Sequence, residues 1–271
     1  MSTVGELLAA AALPRAEARL LLADALGATV ESLVAHPERA VEDAAAARFS
    51  ILARRRAQGE PVAYLLGAKE FYGRRFAVSP AVLVPRPETE LLVQVALDRL
   101  RGKAAPRLLD LGTGSGCIAV TLALECPSAA VVAVDRSADA LAVARANARR
   151  LGATIEFALG DWYAAVGGRF DLIVANPPYV AAADPHLADL RHEPPHALAA
   201  GADGLADLRR IVEGAPTRLN SGGSLAVEHG YDQGASVREL FAQAGFGGIR
   251  THRDLAGIER ACVGTMLATP V

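Results

Sequence analysis

Asn176-Pro177-Pro178-Tyr179 follows directly on the apolar run FDLIVA. Two consecutive prolines fix φ, lack an N–H, and each disfavours helical geometry in the residue before it, so the run ends in a stiff turn. Such a turn can present two acceptors together, the Asn176 side-chain oxygen and the Pro177 carbonyl, with the Tyr179 ring as a flat surface beside them. Two acceptors suit one planar NH₂ group. A nitrogen conjugated to a carbonyl or an aromatic ring has a delocalised lone pair and is a poor nucleophile. Holding both of its hydrogens turns that lone pair out of plane, towards an electrophilic carbon. Orientation of this kind is worth on the order of 7–11 kcal/mol. No carboxylate or histidine lies within Leu172–Ala183, so positioning and electrostatics are the expected means, with proton loss after the transfer. The alternative is that the prolines merely end a strand and Asn176 caps a neighbour.

A second constellation lies upstream. The strand-like RLLDL runs into Gly112-Thr113-Gly114-Ser115-Gly116 and then into the apolar helix CIAVTLALE. Glycines at alternate positions let the backbone turn tightly and approach a ligand closely, although many strand-to-helix turns contain glycine for backbone reasons alone. Asp110 ends the first strand, where it could fix the loop or meet a cation. Asp135 ends the second, where folds of this kind hold a ribose hydroxyl on a carboxylate. A pyrophosphate loop usually reads G-x-G-x-x-G; here the spacing is G-x-G-x-G and Asp110 would repel a phosphate. S-adenosylmethionine, with a sulfonium, an α-amino group and a ribose, fits better. Asp161 and Trp162 follow the third strand, TIEFAL. The ring could flank an adenine while Asp161 accepts from its amine, or the tryptophan could be ordinary core packing.

The elements that position these residues read as two kinds. Residues 1–70 are rich in Ala, Leu and Arg and carry no strand signal, which predicts a small helical bundle. Its third helix is capped by Thr29 with Val30, Leu33 and Val34 inward, and a longer helix runs from about Val41 to Gln58. Phe71, Phe76, Val78, Val82 and Val84 around Gly73 predict a connecting hairpin over 71–86, with Pro85 and Pro87 closing it before a helix from about Glu88 to Arg101. From 87 to 271 five strand-like runs alternate with helical stretches, and GFGGIRTHRDL and RACVGTMLAT add two strands joined by a short turn. An α/β domain with a seven-stranded mixed sheet follows, its last strand antiparallel.

The chain has 271 residues, 52% of them apolar and 21% charged, with a net charge of -2 and a pI near 6.3. No global basic field draws it to nucleic acid or membrane. Cys117, Cys126 and Cys262 form no metal-ligand spacing, which points to reduced thiols and no metal. His186, His192 and His196 lie in a Pro-rich loop, where Glu193 reads as a loop-fixing carboxylate and not a base. Arg54–Arg56 read as a solvated helix face. The N-terminus lacks a basic n-region, so a cytoplasmic location is expected.

The NPPY tetrapeptide and DLGTGSG resemble those of class I (Rossmann-like) methyltransferases acting on planar NH₂ groups. Three further stretches, Arg54–Glu90, Arg191–Leu205, and Ala226–Gly234 with Asp254–Gly257, resemble the PrmC/HemK family, the N5-glutamine methyltransferases of peptide chain release factors in translation termination. The resemblance implies that Gly112–Gly116, Asp135 and Trp162 bind S-adenosylmethionine, the product being S-adenosylhomocysteine. It implies that Asn176 touches both cofactor and substrate, and that Asn176, Pro177, Pro178 and Tyr179 hold the glutamine of a Gly-Gly-Gln motif. The matching PRPETE segment lies near the active site in that family, with the individual jobs of Arg86, Glu88 and Thr89 open. Glu259 stands where the family more often has Asp, a departure expected to affect an edge strand. A monomer with residues 1–70 docking a class-one release factor, without direct nucleic-acid or membrane contact, is the resulting expectation. The rival is an adenine-N6 or other exocyclic-amine nucleic-acid methyltransferase, which calls for a basic groove.

Overall fold

Thr3 begins the first helix with a reciprocal cap: its hydroxyl accepts the Glu6 N–H at 3.3 Å and the Glu6 carboxylate accepts the Thr3 N–H at 2.8 Å. This helix, α1 (Val4–Ala10), is followed by α2 (Arg15–Leu26), α3 (Val30–Ala35), α4 (Asp43–Ala57) and the short α5 (Val62–Leu65). Gly27 ends α2 in the left-handed region at φ +60, and Thr29 caps α3 through the Ser32 N–H. Leu21, Leu22, Leu33, Phe49 and Leu52 close the core. Val34, expected inward, is exposed: a six-residue helix has one core-facing stripe, Leu33 fills it, and the next residue is rotated by about 100°. Of the arginine cluster, Arg55 pairs with Glu60 and Arg56 with Glu17. These elements belong to one unit, Met1–Lys69, and a second begins at Glu70; the structure, a computed structural model, describes residues 1–267.

The hairpin consists of β1 (Ala68–Phe71) and β2 (Arg74–Ala77). Its two turn residues, Tyr72 and Gly73, have φ of +52 and +69, as a two-residue hairpin turn of the primed type requires. The hairpin does not reach Val84 as the alternating valines suggested. Beyond Ala77 there is no partner strand, because β1 is four residues long, and the Ala77 N–H and C=O bond instead to the Asn147 side chain at 2.8 and 2.9 Å. Val78, Val82 and Val84 are buried in irregular backbone that runs along the cavity described below.

The rest of the second unit is α6 (Thr89–Leu100), β3 (Arg107–Leu111), α7 (Cys117–Glu125), β4 (Ala130–Asp135), α8 (Ala138–Leu151), β5 (Glu156–Leu159), β6 (Phe170–Ala175), α9 (Ala206–Gly214), β7 (Leu219–Glu228), α10 (Gly234–Gln243), β8 (Phe246–Arg253) and β9 (Glu259–Met266). The seven-stranded sheet has the order β5-β4-β3-β6-β7-β9-β8. Its first five members are parallel, and β9 is antiparallel to both neighbours, as the short connection demands. Alternate residues face opposite layers: Leu108, Leu172 and Val174 pack with α6 and α7, whereas Leu109, Ile173 and Ala175 pack with α9 and α10. The expected mixed α/β sheet is therefore present. Ala268 and Thr269, included in the last expected strand, lie outside the described residues. Glu259 does not open an edge strand: β9 lies between β7 and β8, and Glu259 pairs there with Arg238 and Arg253. Among the described residues no helix is long and apolar enough to cross a membrane.

Asn147, wholly buried on α8, also donates to the Ser115 carbonyl at 2.9 Å, so one carboxamide ties β2 to the glycine loop. Replacing it leaves the buried Ser115 carbonyl and two part-buried groups of Ala77 without that partner, a buried group so orphaned costing about 1–3 kcal/mol. Asn147→Ala is expected to lower unfolding stability by at least about 2 kcal/mol in urea titrations. A loss below about 0.5 kcal/mol would show that water replaces the side chain.

Candidate active site

Strand order reverses between β3 and β6, the place where open α/β sheets form a ligand crevice beyond their carboxyl ends. A cavity opens there, with about 900 Å³ of free space including its solvent-facing part. The glycine loop forms one wall. Gly112, Gly114 and Gly116 all have positive φ, at +72, +55 and +80. A Cβ on Gly112 would lie 3.2 Å from the Trp162 ring, and one on Gly116 would lie 3.1 Å from Ala144. Their glycines are required by conformation and by contact. Gly114 faces open space.

Asp135 secures this loop. Its two oxygens accept the Gly114 N–H at 2.8 Å and the Ser137 N–H at 2.9 Å, which leaves each oxygen further acceptor capacity, and Asp135 lines the cavity. Asp110 lies deeper and accepts the Thr113 hydroxyl at 2.7 Å, while its other oxygen has no hydrogen-bond partner. Burial pushes its carboxyl up to about 7 against the pull of the Thr113 bond. Trp162 is held at φ +48, uncommon for a non-glycine residue. The cavity, the Gly112 backbone and the Asp207 carboxylate surround it, the last accepting the indole N–H at 3.3 Å. Asp161 lines the same cavity and pairs with Arg210 of α9. Three carboxylates, Asp135, Asp161 and Asp207, therefore line this end, a donor set that fits a cation carrying hydroxyl groups. The residues present fit S-adenosylmethionine.

The turn after β6 supplies the other end. Asn176 lines the cavity, and its Nδ2 donates to Thr89 Oγ1 at 3.1 Å. Thr89 starts α6, and the Tyr179 hydroxyl donates to Oε1 of Glu228, at the end of β7, at 3.2 Å. Glu228 Oε2 meets no partner at hydrogen-bond geometry. Burial pushes the Glu228 carboxyl up to about 7, with Thr89, Tyr179 and Arg260 opposing. Burial, followed by the Glu228 charge, also raises the Tyr179 phenol. Pro178 lines the cavity; Pro177 and Tyr179 are not among its lining residues, Tyr179 packing instead against the core beneath.

The third wall is the irregular stretch from Ala81 to Arg86. Glu193, buried in the loop after the turn, accepts the Val84 N–H at 3.0 Å and pairs with Arg86, so it does fix the loop. His196 lines the cavity from the same loop. Among the described residues no group of three or more His, Cys, Asp or Glu could hold a metal, and all three cysteines are free. Sequence reasoning did not single out Asp207, Arg210 or Asn147, and it assigned no partner to Thr89 or Glu228. Glu228 and His229, which end the strand-like run AVEHG, read in sequence as candidates for a supporting role at the site's edge.

Residues 87–244 match the family described as Methyltransferase small domain, and residues 2–67 match PrmC N-terminal domain. A release factor glutamine methyltransferase of Bordetella pertussis is 55% identical over 96% of this chain and 98% of its own length. One of Burkholderia pseudomallei is 51% identical over 98% and 96%. Among solved structures, a methyltransferase from Pyrococcus furiosus has a TM-score of 0.58 at 18% identity, over 81% of this chain and all of its own, a likeness of fold.

The raised carboxyls make stability depend on pH in a stated direction. A folded-state pKa above the unfolded one means that the native chain keeps a proton that the unfolded chain has lost. Asp110 therefore contributes its full stability below about 4 and loses it as pH rises through about 7. Asp110→Asn has no such titration. Its stability relative to wild type is expected to rise by roughly 2–3 kcal/mol between pH 5 and 8 in urea unfolding. A difference that stays constant over that range means Asp110 titrates alike in both states.

Proposed function

Because this chain belongs to the family of release factor glutamine methyltransferases, we propose that it methylates the side-chain amide nitrogen (N5) of the glutamine in the Gly-Gly-Gln motif of class-one peptide chain release factors. The observation that carries this reading is the Asn176 carboxamide. It shares a cavity with the glycine loop, and its NH₂ end is committed to Thr89, which leaves Oδ1 as an acceptor. Among the described residues no backbone N–H bonds to the Pro177 carbonyl, the second acceptor of the turn.

When bound, S-adenosylmethionine supplies a methyl group made electrophilic by its sulfonium. Gly112–Gly116 would hold it through the backbone, Asp135 would accept from its hydroxyls, and Asp161 and Trp162 would flank its base. Asn176 Oδ1 and the Pro177 carbonyl each accept one hydrogen of the glutamine NH₂. That grip fixes the amide plane and directs the nitrogen lone pair out of it, so that the chain contributes orientation in place of a base. Tyr179 braces the turn through Glu228. Residues 1–69, which carry no part of this cavity, dock the release factor protein.

Asn176→Ala is expected to leave cofactor affinity within a few-fold and to cut turnover on the order of 10²-fold or more; a wild-type rate removes Asn176 from the mechanism. Labelled cofactor offered with release factor, its Gln→Ala variant, duplex DNA or transfer RNA should mark the first alone, and label on nucleic acid defeats the substrate assignment. Removing residues 1–69 should abolish methylation of whole release factor with cofactor binding intact. Loss of both would defeat the docking role.

A further inference from the structure

Gln233 does not line the cavity and has no part in the chemistry as described so far, yet its side chain is buried and bonded at both ends. Resting on the function proposed above, we propose that Gln233 is a positioning residue for the transfer: its carboxamide holds the Tyr179 carbonyl and thereby fixes how the two acceptors of the Asn176–Tyr179 turn face the substrate amide. Gln233 directly precedes α10, five residues after β7 ends at Glu228. Its Oε1 accepts the Gly230 N–H at 2.9 Å and its Nε2 donates to the Tyr179 carbonyl at 2.9 Å. Both partners are main-chain groups, one that only donates and one that only accepts, so they alone set which end of the carboxamide faces the turn. Among the described residues no backbone N–H bonds to the Tyr179 carbonyl, which leaves that contact to Gln233.

The turn has few free torsions between its anchors. Asn176 follows the last residue of β6, and the Val180 N–H and C=O are held by Leu198 and Ala200 at 3.0 and 2.9 Å. The two prolines between fix their own φ angles. A Tyr179 carbonyl released from Gln233 could rotate, and the Tyr179 and Pro178 torsions that absorb such a rotation also turn the Pro177 carbonyl, one of the two acceptors. The segment from Glu228 to Gln233 grips Tyr179 twice, by its hydroxyl at 3.2 Å and by its carbonyl. Gly204 packs against the same junction: at φ +73 it suits glycine, and a Cβ there would lie 2.7 Å from Gln233 Nε2. A side chain at 204 therefore disturbs the same bond from a different part of the chain.

The test compares Gln233→Met, Gly204→Ala and the double variant with wild type, measuring kcat and KM on release factor, cofactor Kd by calorimetry, and the side-chain NH₂ resonances of Asn176 and Gln233 in ¹⁵N-labelled protein. Gln233→Met should lower kcat by about tenfold to a hundredfold with cofactor Kd within about threefold. The double variant should be within about threefold of the slower single one, because both changes break one bond. The Asn176 NH₂ resonances should move in Gln233→Met, and the Gln233 NH₂ should exchange slowly in wild type. A wild-type kcat in Gln233→Met, a cofactor Kd weakened as much as kcat, or fully additive losses overturn the proposal. Unmoved Asn176 resonances in Gln233→Met overturn it even if rates fall. Should the variants not fold, fast exchange of the Gln233 NH₂ in wild type overturns it and slow exchange supports it. If wild type fails to methylate release factor, the function reading fails on its own, and the resonance and exchange measurements still decide whether Gln233 holds the turn.

Discussion

The site depends on a backbone that cannot rejoin its own sheet. β6 ends at Ala175, and the two prolines that follow Asn176 have no N–H to give to a ladder. Backbone bonding resumes only at Val180, whose N–H reaches the Leu198 carbonyl at 3.0 Å. The Tyr179 carbonyl between them is held by the Gln233 side chain at 2.9 Å. Gly204 approaches that carbonyl so closely that a Cβ would lie 2.4 Å from it. The turn is thus stiff by its own covalent structure and clamped on the side away from the cavity. Rigidity of this kind matters where a weak nucleophile has to be presented in one plane, since any slack is lost orientation.

Irregular backbone raises the same difficulty in every wall, and the molecule answers it in one way. Polar side chains take the N–H groups that no strand or helix accepts. Asp135 takes those of Gly114 and Ser137, Glu193 takes that of Val84, Glu90 takes that of Tyr72, and Asn147 takes that of Ala77. Asp135, Glu90 and Asn147 sit on regular elements and Glu193 in a loop, and the groups they take lie in turns, loops or, for Ala77, at a strand's last residue. A buried donor left alone costs about 1–3 kcal/mol, so the bonds to Gly114 and Val84 help decide where two walls of the cavity stand.

How much of this was legible in the sequence follows from range. The strands were readable because apolar residues fill both faces of RLLDL, AVVAVD and FDLIVA, and a turn chemistry closes each run. The glycine loop and the Asn176–Tyr179 turn were readable because their residues are contiguous. The hairpin was overextended because Val78, Val82 and Val84 are buried like strand residues, whereas their backbone bonds go elsewhere. Partners far apart in the chain left no spacing to read: 45 residues separate Trp162 from Asp207, 70 separate Asn147 from Ala77, and 87 separate Asn176 from Thr89. No periodic rule spans such distances, and only the fold brings these side chains together.

The same fold explains why two of its acids are raised. Asp110 and Glu228 lie near the carboxyl ends of β3 and β7, on either side of β6, where both are out of water. Desolvation is the leading cause in both, and the hydroxyls of Thr113, or of Thr89 and Tyr179, oppose it incompletely. Each also keeps one oxygen without a partner. A carboxylate so placed responds strongly to charge nearby, because little water screens it. A cation entering a cavity lined by Asp135, Asp161 and Asp207 favours the ionised form of these deeper acids, and by linkage the ionised acids favour the cation.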